Sequence, residues 1–485
     1  MKMIRNQNRT PLFDALKEYN EKNIVPFDVP GHKHGKGIPE FVEYVGERVL
    51  EIDVNSMKCL DNISNPITVI KDAEELMADA YCSDHAFFLV NGTSAGVQAM
   101  IMSVCKPGDK IIMPRNAHKS AINGLILSGA LPVYVQPEVN DELGIAMGVS
   151  VENIERAIAE NPDVKAVFLI NPTYYGAVSD LKKIIKTAHK HGMAVLVDEA
   201  HGAHFRFHEN LPKGAMELGA DMAAASLHKT GGSLTQSSVL LLNEGLIDKN
   251  TVKTILNLSQ TTSASYLLMA SLDVARKMLV MDGEKVLSKI LELTRKAREE
   301  INKIDGLYAF SKELVGEAGV YNFDETKLGV CVKGLGITGF KAYDILRDEY
   351  NIQVELGDVF NILAIVSVGD NADSIKALVN ALKDMSKKYK GSEFKFDKVA
   401  LKNPQVIVSP RDAFYATKKV VKLDESEGEI SGESIMAYPP GIPIVTPGER
   451  ISGDIIEYIK FLKNQHSMLT DTEDPYVENI KVLGI

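Results

Sequence analysis

The chain has 485 residues, 45% hydrophobic and 25% charged, with a formal net charge of −11. That length supports a large core and two or three domains. The acidic balance, with no long Lys/Arg run, argues against a nucleic-acid binder. Four widely spaced cysteines without a CxxC pair read as reduced thiols. The N-terminus has no apolar h-region and no apolar run nears the ~18 residues of a bilayer span, so a soluble cytoplasmic chain is expected.

Helical spacing of Leu12, Leu16 and Tyr19 predicts a helix over residues 10–24, followed by a Gly/His-rich loop, Phe27 to Gly37. His32 and His34 alternate without a third ligand, a weak metal signal. The segment 50–66 reads as irregular and polar. From residue 68 the pattern alternates: an amphipathic helix (70–81), a short apolar strand (86–90), then Asn91-Gly-Thr-Ser-Ala-Gly96 and an apolar helix (97–105). A strand, a small-residue turn and a helix start make an anion site suited to a phosphate. The turn is neither GxGxxG nor a Walker loop, so a nucleotide triphosphate is not indicated.

Further strands are expected at 110–113, 131–135, 166–170 and 194–197, with helices between them, one ending near Gly192. The expected fold class is therefore α/β with a mainly parallel sheet. Ligands bind beyond the carboxyl ends of such strands, and the loops at Asn91, Pro114, Asn171 and Asp198 all follow strands. The chain is expected to divide into an N-terminal segment with a large domain (1–300), a smaller α/β domain (301–390) and a C-terminal domain (391–485). A charged helix near 290–305 connects the first two. Small-domain strands are expected near 329–333, 352–356 and 362–368. A charged linker, Ser392 to Lys398, opens the last domain, where Tyr438 to Gly448 is too Pro-rich for a central strand.

The chemistry centres on Ala225 to Ser238, where Lys229 sits between Ser226/His228 and Gly231/Gly232. A lysine at the tip of a buried loop can lose its charge by desolvation and form a Schiff base. Asp198 ends a buried strand 31 residues earlier (229 − 198), and either caps the next segment or pairs with a protonated heterocyclic nitrogen. Lysine, aspartate and a phosphate loop are the parts that pyridoxal 5′-phosphate (PLP) requires. His118 either stacks on that ring or bonds backbone at a helix start. His201, His204 and His208 hint at zinc, but no HExxH accompanies them, and no GxSxG marks a serine nucleophile. Glu355 and Asp358 are candidate partners for a cationic substrate end, with the alternative that they are solvated charges; the Tyr438 loop is a further candidate for substrate choice.

The strings PFDVPGHKHGKG, NGTS, PRNAHKS, NPTYYG, DEAHGAH, SLHKTGG and AYPPGIPIVTPGE occur in that order over nearly the whole chain. Together they resemble the PLP-dependent ornithine/lysine/arginine decarboxylase family of fold type I. The closer likeness is to its shorter form, which lacks an N-terminal receiver-like wing domain, as in the biosynthetic arginine-specific members of Gram-positive bacteria. The resemblance implies Lys229 as Schiff-base lysine, Asp198 at the pyridine nitrogen and His118 on the ring. It implies Thr93, Ser94, Ser226 and His228 around the phosphate, and Ala200 and His201 beneath and beside the ring. Ser263 and Ser265 would approach the phosphate of a partner subunit, in a homodimer or larger assembly. The implied activity is α-decarboxylation of a basic amino acid, with His201 or Lys229 as acid: arginine to agmatine for polyamine synthesis first, lysine second, ornithine third. A PLP aminotransferase or aldolase, or a silent homologue, would be the more remote alternatives; the last should lack the lysine, the aspartate or the phosphate loop, all of which this chain retains.

Overall fold

Short apolar runs become the strands of the main sheet because both of their faces are covered, and every residue of Ala194–Asp198, Met222–Ala225 and Ser238–Leu242 is buried. The protein is described from a computed structural model covering residues 5–389, 391–392, 394, 404–438, 442–465 and 467–484. In chain order the elements that position the site are α1 (Pro11–Glu21), α2 (Val69–Tyr81), β1 (His85–Leu89), α3 (Gly92–Val104), β2 (Lys110–Pro114), α4 (Lys119–Ser128), β3 (Leu131–Val135) and β4 (Ala166–Ile170). They continue with α5 (Leu181–Lys190), β5 (Ala194–Asp198), β6 (Met222–Ala225), α6 (Leu227–Thr230), β7 (Ser238–Leu242) and α7 (Tyr266–Ile301).

The chain divides into two units, Met1–Ser103 with Leu196–Ser288 and Val104–Val195 with Lys289–Ile485. Within the first unit the strand order is β1-β7-β6-β5, and within the second it is β4-β2-β3. In the first unit β5 and β6 pair parallel, whereas β7 runs antiparallel to both β6 and β1. Residues 226–237 hold only a one-turn helix, too little for the crossover that a parallel return needs. In the second unit β2 pairs parallel with β3 and β4. There α5 buries Leu181, Ile184, Ile185 and Ala188 on one face, is capped by Asp180 accepting from the Lys183 N–H, and ends ahead of Gly192 at φ +69°.

Helix α7 is one continuous 36-residue helix, so the charged stretch expected as a separate connector is its last turns. The smaller sheet of the second unit comprises β8 (Tyr308–Ala309), β9 (Lys327–Cys331), β10 (Leu356–Gly357) and β11 (Asn361–Ile365), in the order β8-β9-β11-β10. The strand expected at 352–356 is reduced to β10. Asn351 at φ +54° ends the preceding helix, and the Ile352 N–H still donates to Leu346 O at 2.8 Å, holding these residues in a helix cap. In the last part of the chain β12 (Ile435–Tyr438) lies between β13 (Ile442–Val445) and β14 (Met468–Thr470). Pro443 sits on β13, an edge strand, where its missing N–H costs no ladder bond. Of the linker expected at 392–398, only Ser392 and Phe394 lie within the described residues.

Candidate active site

In the first unit β1, β5 and β6 point the same way, because β5 is parallel to β6 and β1 reaches β6 through one antiparallel neighbour. The loops that follow all three therefore leave one edge. After β1, Gly92 turns the chain at φ +71°, its N–H donating to Gln236 O at 2.9 Å, and α3 begins. Gly96 lets α3 lie close on the sheet: a Cβ there would stand 2.8 Å from Leu89 Cδ1 and 3.2 Å from Ala224 Cβ.

Three hydroxyls converge at that helix start. Thr93 Oγ1 bonds Ser226 Oγ and donates to Ser238 Oγ at 3.0 Å, all three residues being buried. With the N–H groups and dipole of a thirteen-residue helix behind them, they form a cradle for an anion. Ser94 is exposed on the first turn of the same helix. The His228 Nδ1 faces Ser237 O at 3.0 Å, so the carbonyl fixes Nδ1 as the protonated nitrogen and leaves Nε2 to face elsewhere.

Lys229 rides on α6, directly after β6, and its Nζ lies 2.9 Å from His201 Nε2. Asp198 ends β5 in register with Ala224, and its Oδ1 accepts from the Ala200 N–H at 3.1 Å. Burial pushes the Asp198 carboxyl up, an effect that the positive charge of Lys229 and the Ala200 N–H oppose. The sheet thus brings together Thr93, Asp198, Ala200, His201, Ser226, His228 and Lys229. His208 turns away from this group, its Nε2 meeting Ser288 Oγ at 2.9 Å.

The other expected site residues belong to the second unit or to the approach to α7. His118, in the second unit, caps α4: its Nδ1 accepts from the Ser120 N–H at 3.2 Å. Ser265 starts α7, accepting from the Leu268 N–H at 3.4 Å, while Ser263 is exposed and the intervening Ala264 is buried. Tyr438 pairs with Met468 on β12. Asp358 is spent on structure: it accepts from Tyr175 OH, from the Phe360 and Asn361 N–H groups at 2.8 and 2.7 Å, and from Asn361 Nδ2. Burial raises its carboxyl against those donors. Glu355 accepts from Tyr174 OH at 3.0 Å.

One residue of the site, Ser238, and one buried acid beside Asp198 in sequence, Glu199, escaped sequence reasoning. Ser238 opens a strand whose other residues are all aliphatic, and a lone hydroxyl at the mouth of such a run was the available signal. Glu199, next to Asp198, is 2% exposed and its Oε1 accepts from the Ala215 N–H at 2.8 Å. Burial lifts its carboxyl to about 8, partly opposed by that N–H. A carboxyl raised on folding stabilises below its unfolded range, near 4.5, and loses that contribution as pH climbs through about 8. Glu199→Gln should therefore flatten the fall in thermal midpoint between pH 5 and 8. A variant whose midpoint falls as steeply as the wild type would refute this, although Glu74, raised by burial to about 7, keeps part of the slope.

A buried strand-end aspartate, a lysine on the next strand's exit and an anion cradle at a helix start define the fold type I class of PLP-dependent enzymes. Comparison with known proteins narrows the class. Residues 10–374 match the model of the Orn/Lys/Arg decarboxylase major domain and residues 395–470 that of the family's C-terminal domain. The chain belongs to the Orn/Lys/Arg decarboxylase family. It is 44% identical over 482 residues to the arginine decarboxylase of Bacillus anthracis, covering 99% of this chain and 98% of that one. It is 45% identical over 458 residues to the arginine decarboxylase of Bacillus subtilis, with 94% of each chain covered. The lysine decarboxylase LdcF of Francisella novicida shares the fold, with a TM-score of 0.85 at 22% identity over 98% of this chain and 81% of that one.

Proposed function

We propose that this protein is a cytoplasmic, homodimeric PLP enzyme that decarboxylates L-arginine to agmatine. The cofactor reading rests on the Asp198–Lys229–Thr93/Ser226 arrangement. The substrate reading rests on near full-length relatives named arginine decarboxylase at 44–45% identity. Among the described residues no helix is long and apolar enough to cross a membrane.

The residues fit the cofactor. Lys229 is its covalent anchor, Asp198 the acceptor for its ring N–H, and Thr93, Ser226, Ser238 and the start of α3 its phosphate cradle; Ser94 and His228 complete that end, Ala200 and His201 flank the ring, and His118, by the resemblance of its motif, takes a ring face. When bound, PLP supplies the sink for the electron pair released with CO₂. The protein's share is positioning and proton handling. Asp198 in its buried place is stabilised as an anion by cationic partners, so a ring N–H⁺ replaces part of what Lys229 gives up once its nitrogen is engaged. Lys229 and His201, 2.9 Å apart, hold a proton between Nζ and Nε2 for delivery to the α-carbon in place of the departed CO₂. Glu355 is assigned the guanidinium end, since its carboxylate is less committed than that of Asp358, which instead fixes the loop around it. Ser263 and Ser265 are assigned to the neighbouring subunit's phosphate, and Tyr438 to substrate binding.

A product assay on arginine, lysine and ornithine with PLP tests the reading. Agmatine and CO₂ are expected. Cadaverine or putrescine as main product would overturn the substrate, and keto-acid products without CO₂ the reaction.

A further inference from the structure

Within the second unit, the segment that carries His118 is gripped from outside itself. Pro114 to Lys119 has few backbone bonds of its own, among them Ala117 N–H to Pro114 O at 3.1 Å. Arg115, 7% exposed, sends Nη2 to Glu449 Oε2 at 2.9 Å and to Ile444 O at 3.2 Å. Its guanidinium carbon sits 5.1 Å from the centroid of the Tyr134 ring. Glu449 is 1% exposed and also accepts from the Thr446 N–H at 2.7 Å. On the other side of His118, Lys119 Nζ meets Asp471 Oδ1 at 2.9 Å. Farther along, Arg411 Nη1 donates to Leu127 O at 3.3 Å near the end of α4. Apart from Tyr134 of β3, the residues that grip the segment (Arg411, Ile444, Glu449 and Asp471) belong to the last ninety residues of the chain or so, the part matched by the family's C-terminal domain and its continuation.

A loop with little internal bonding takes its shape from such external partners, and a desolvated guanidinium whose one Nη2 serves both a carboxylate and a carbonyl is held in a single place. We propose that Glu449, through Arg115, is a positioning residue for His118, so that the C-terminal domain sets how tightly the cofactor is held. Glu449 touches neither substrate nor cofactor; it fixes the start of the loop, while the Lys119–Asp471 pair fixes its end. This rests on the assignment of His118 to the cofactor ring.

The test is equilibrium titration of the apo-protein with PLP, alongside its thermal midpoint, for Glu449→Gln, Asp471→Asn, His118→Ala and the double variant Glu449→Gln/His118→Ala. Asp471 is partly exposed, so its variant folds even where loss of the buried carboxylate harms the domain. Residues that act through one another lose less together than the product of their separate losses; the expectation is an affinity loss of about tenfold for Glu449→Gln, two- to threefold for Asp471→Asn, and less than about twofold for Glu449→Gln once His118 is already alanine. A lower midpoint with wild-type PLP affinity, or losses that multiply in the double variant, would overturn the proposal and leave Glu449 purely structural. PLP affinity untouched by His118→Ala would overturn it through its premise. Absence of PLP uptake by the wild type would overturn the functional reading as well.

Discussion

Replacing Lys229 by alanine should abolish decarboxylation while leaving the fold intact. Lys229 is the anchor and half of the Lys229–His201 proton pair, and groups acting as a unit fail together, so turnover should fall by on the order of 10⁴-fold or more. Borohydride reduction of wild type with PLP should label one peptide, that containing Lys229, and Lys229→Ala should remain unlabelled. The variant also removes the positive charge that opposes the burial of Asp198, so the carboxyl should rise further and hold a cationic ring less well. Lys229→Arg separates the two contributions: it keeps the charge beside Asp198 but cannot form the linkage. It should retain more PLP affinity than Lys229→Ala and be equally inactive. A Lys229→Ala protein that still decarboxylates within tenfold of the wild type, or a label on another lysine, would remove the anchor from this position.

That Lys229, Asp198 and the Asn91–Gly96 turn belong together was readable because each follows a strand, and strand-end loops of a parallel sheet share an edge. The strands themselves were readable because a run buried on both faces must be continuously apolar, as in Ala194–Val197 and Val239–Leu242. What was not readable follows from physics with no local period. The direction of β7 depends on how little chain separates it from β6, and the shortness of β10 on a helix cap at Asn351 that overrides a β-prone sequence. Asp358 and Glu355 look alike in sequence as acidic residues three apart, yet one is saturated by Tyr175, Phe360 and Asn361 while the other, among the described residues, accepts from Tyr174. Partner choice over such separations leaves no trace in spacing. The same holds for Arg115 and Glu449, which are 334 positions apart.

The largest effect on stability is expected at another long-range partnership, Arg276 of α7. Its side chain is fully buried, and it donates through Nη1 to Gln7 O at 2.5 Å and Gln7 Oε1 at 3.1 Å, and through Nη2 to Arg9 O at 2.5 Å and Asp273 Oδ1 at 2.7 Å. The other Asp273 oxygen accepts from the Leu12 and Phe13 N–H groups at 3.0 and 3.4 Å, the first orphan donors of α1. One ion pair therefore holds both the extended entry, residues 7–9, and the start of the first helix against α7. Removing one partner leaves an uncompensated charge in the core, which costs about 3–5 kcal/mol, whereas removing both spares that penalty. Asp273→Ala and Arg276→Met should each lower the thermal midpoint by several degrees and expose residues 7–21 to hydrogen exchange. Asp273→Ala/Arg276→Met should lose less than the sum of the two, because the buried charge is gone while the backbone groups it served remain unpaired. Additive losses in the double variant, or unchanged exchange protection over α1 in the single ones, would show that the N-terminal helix is held by Leu12 and Leu16 packing alone.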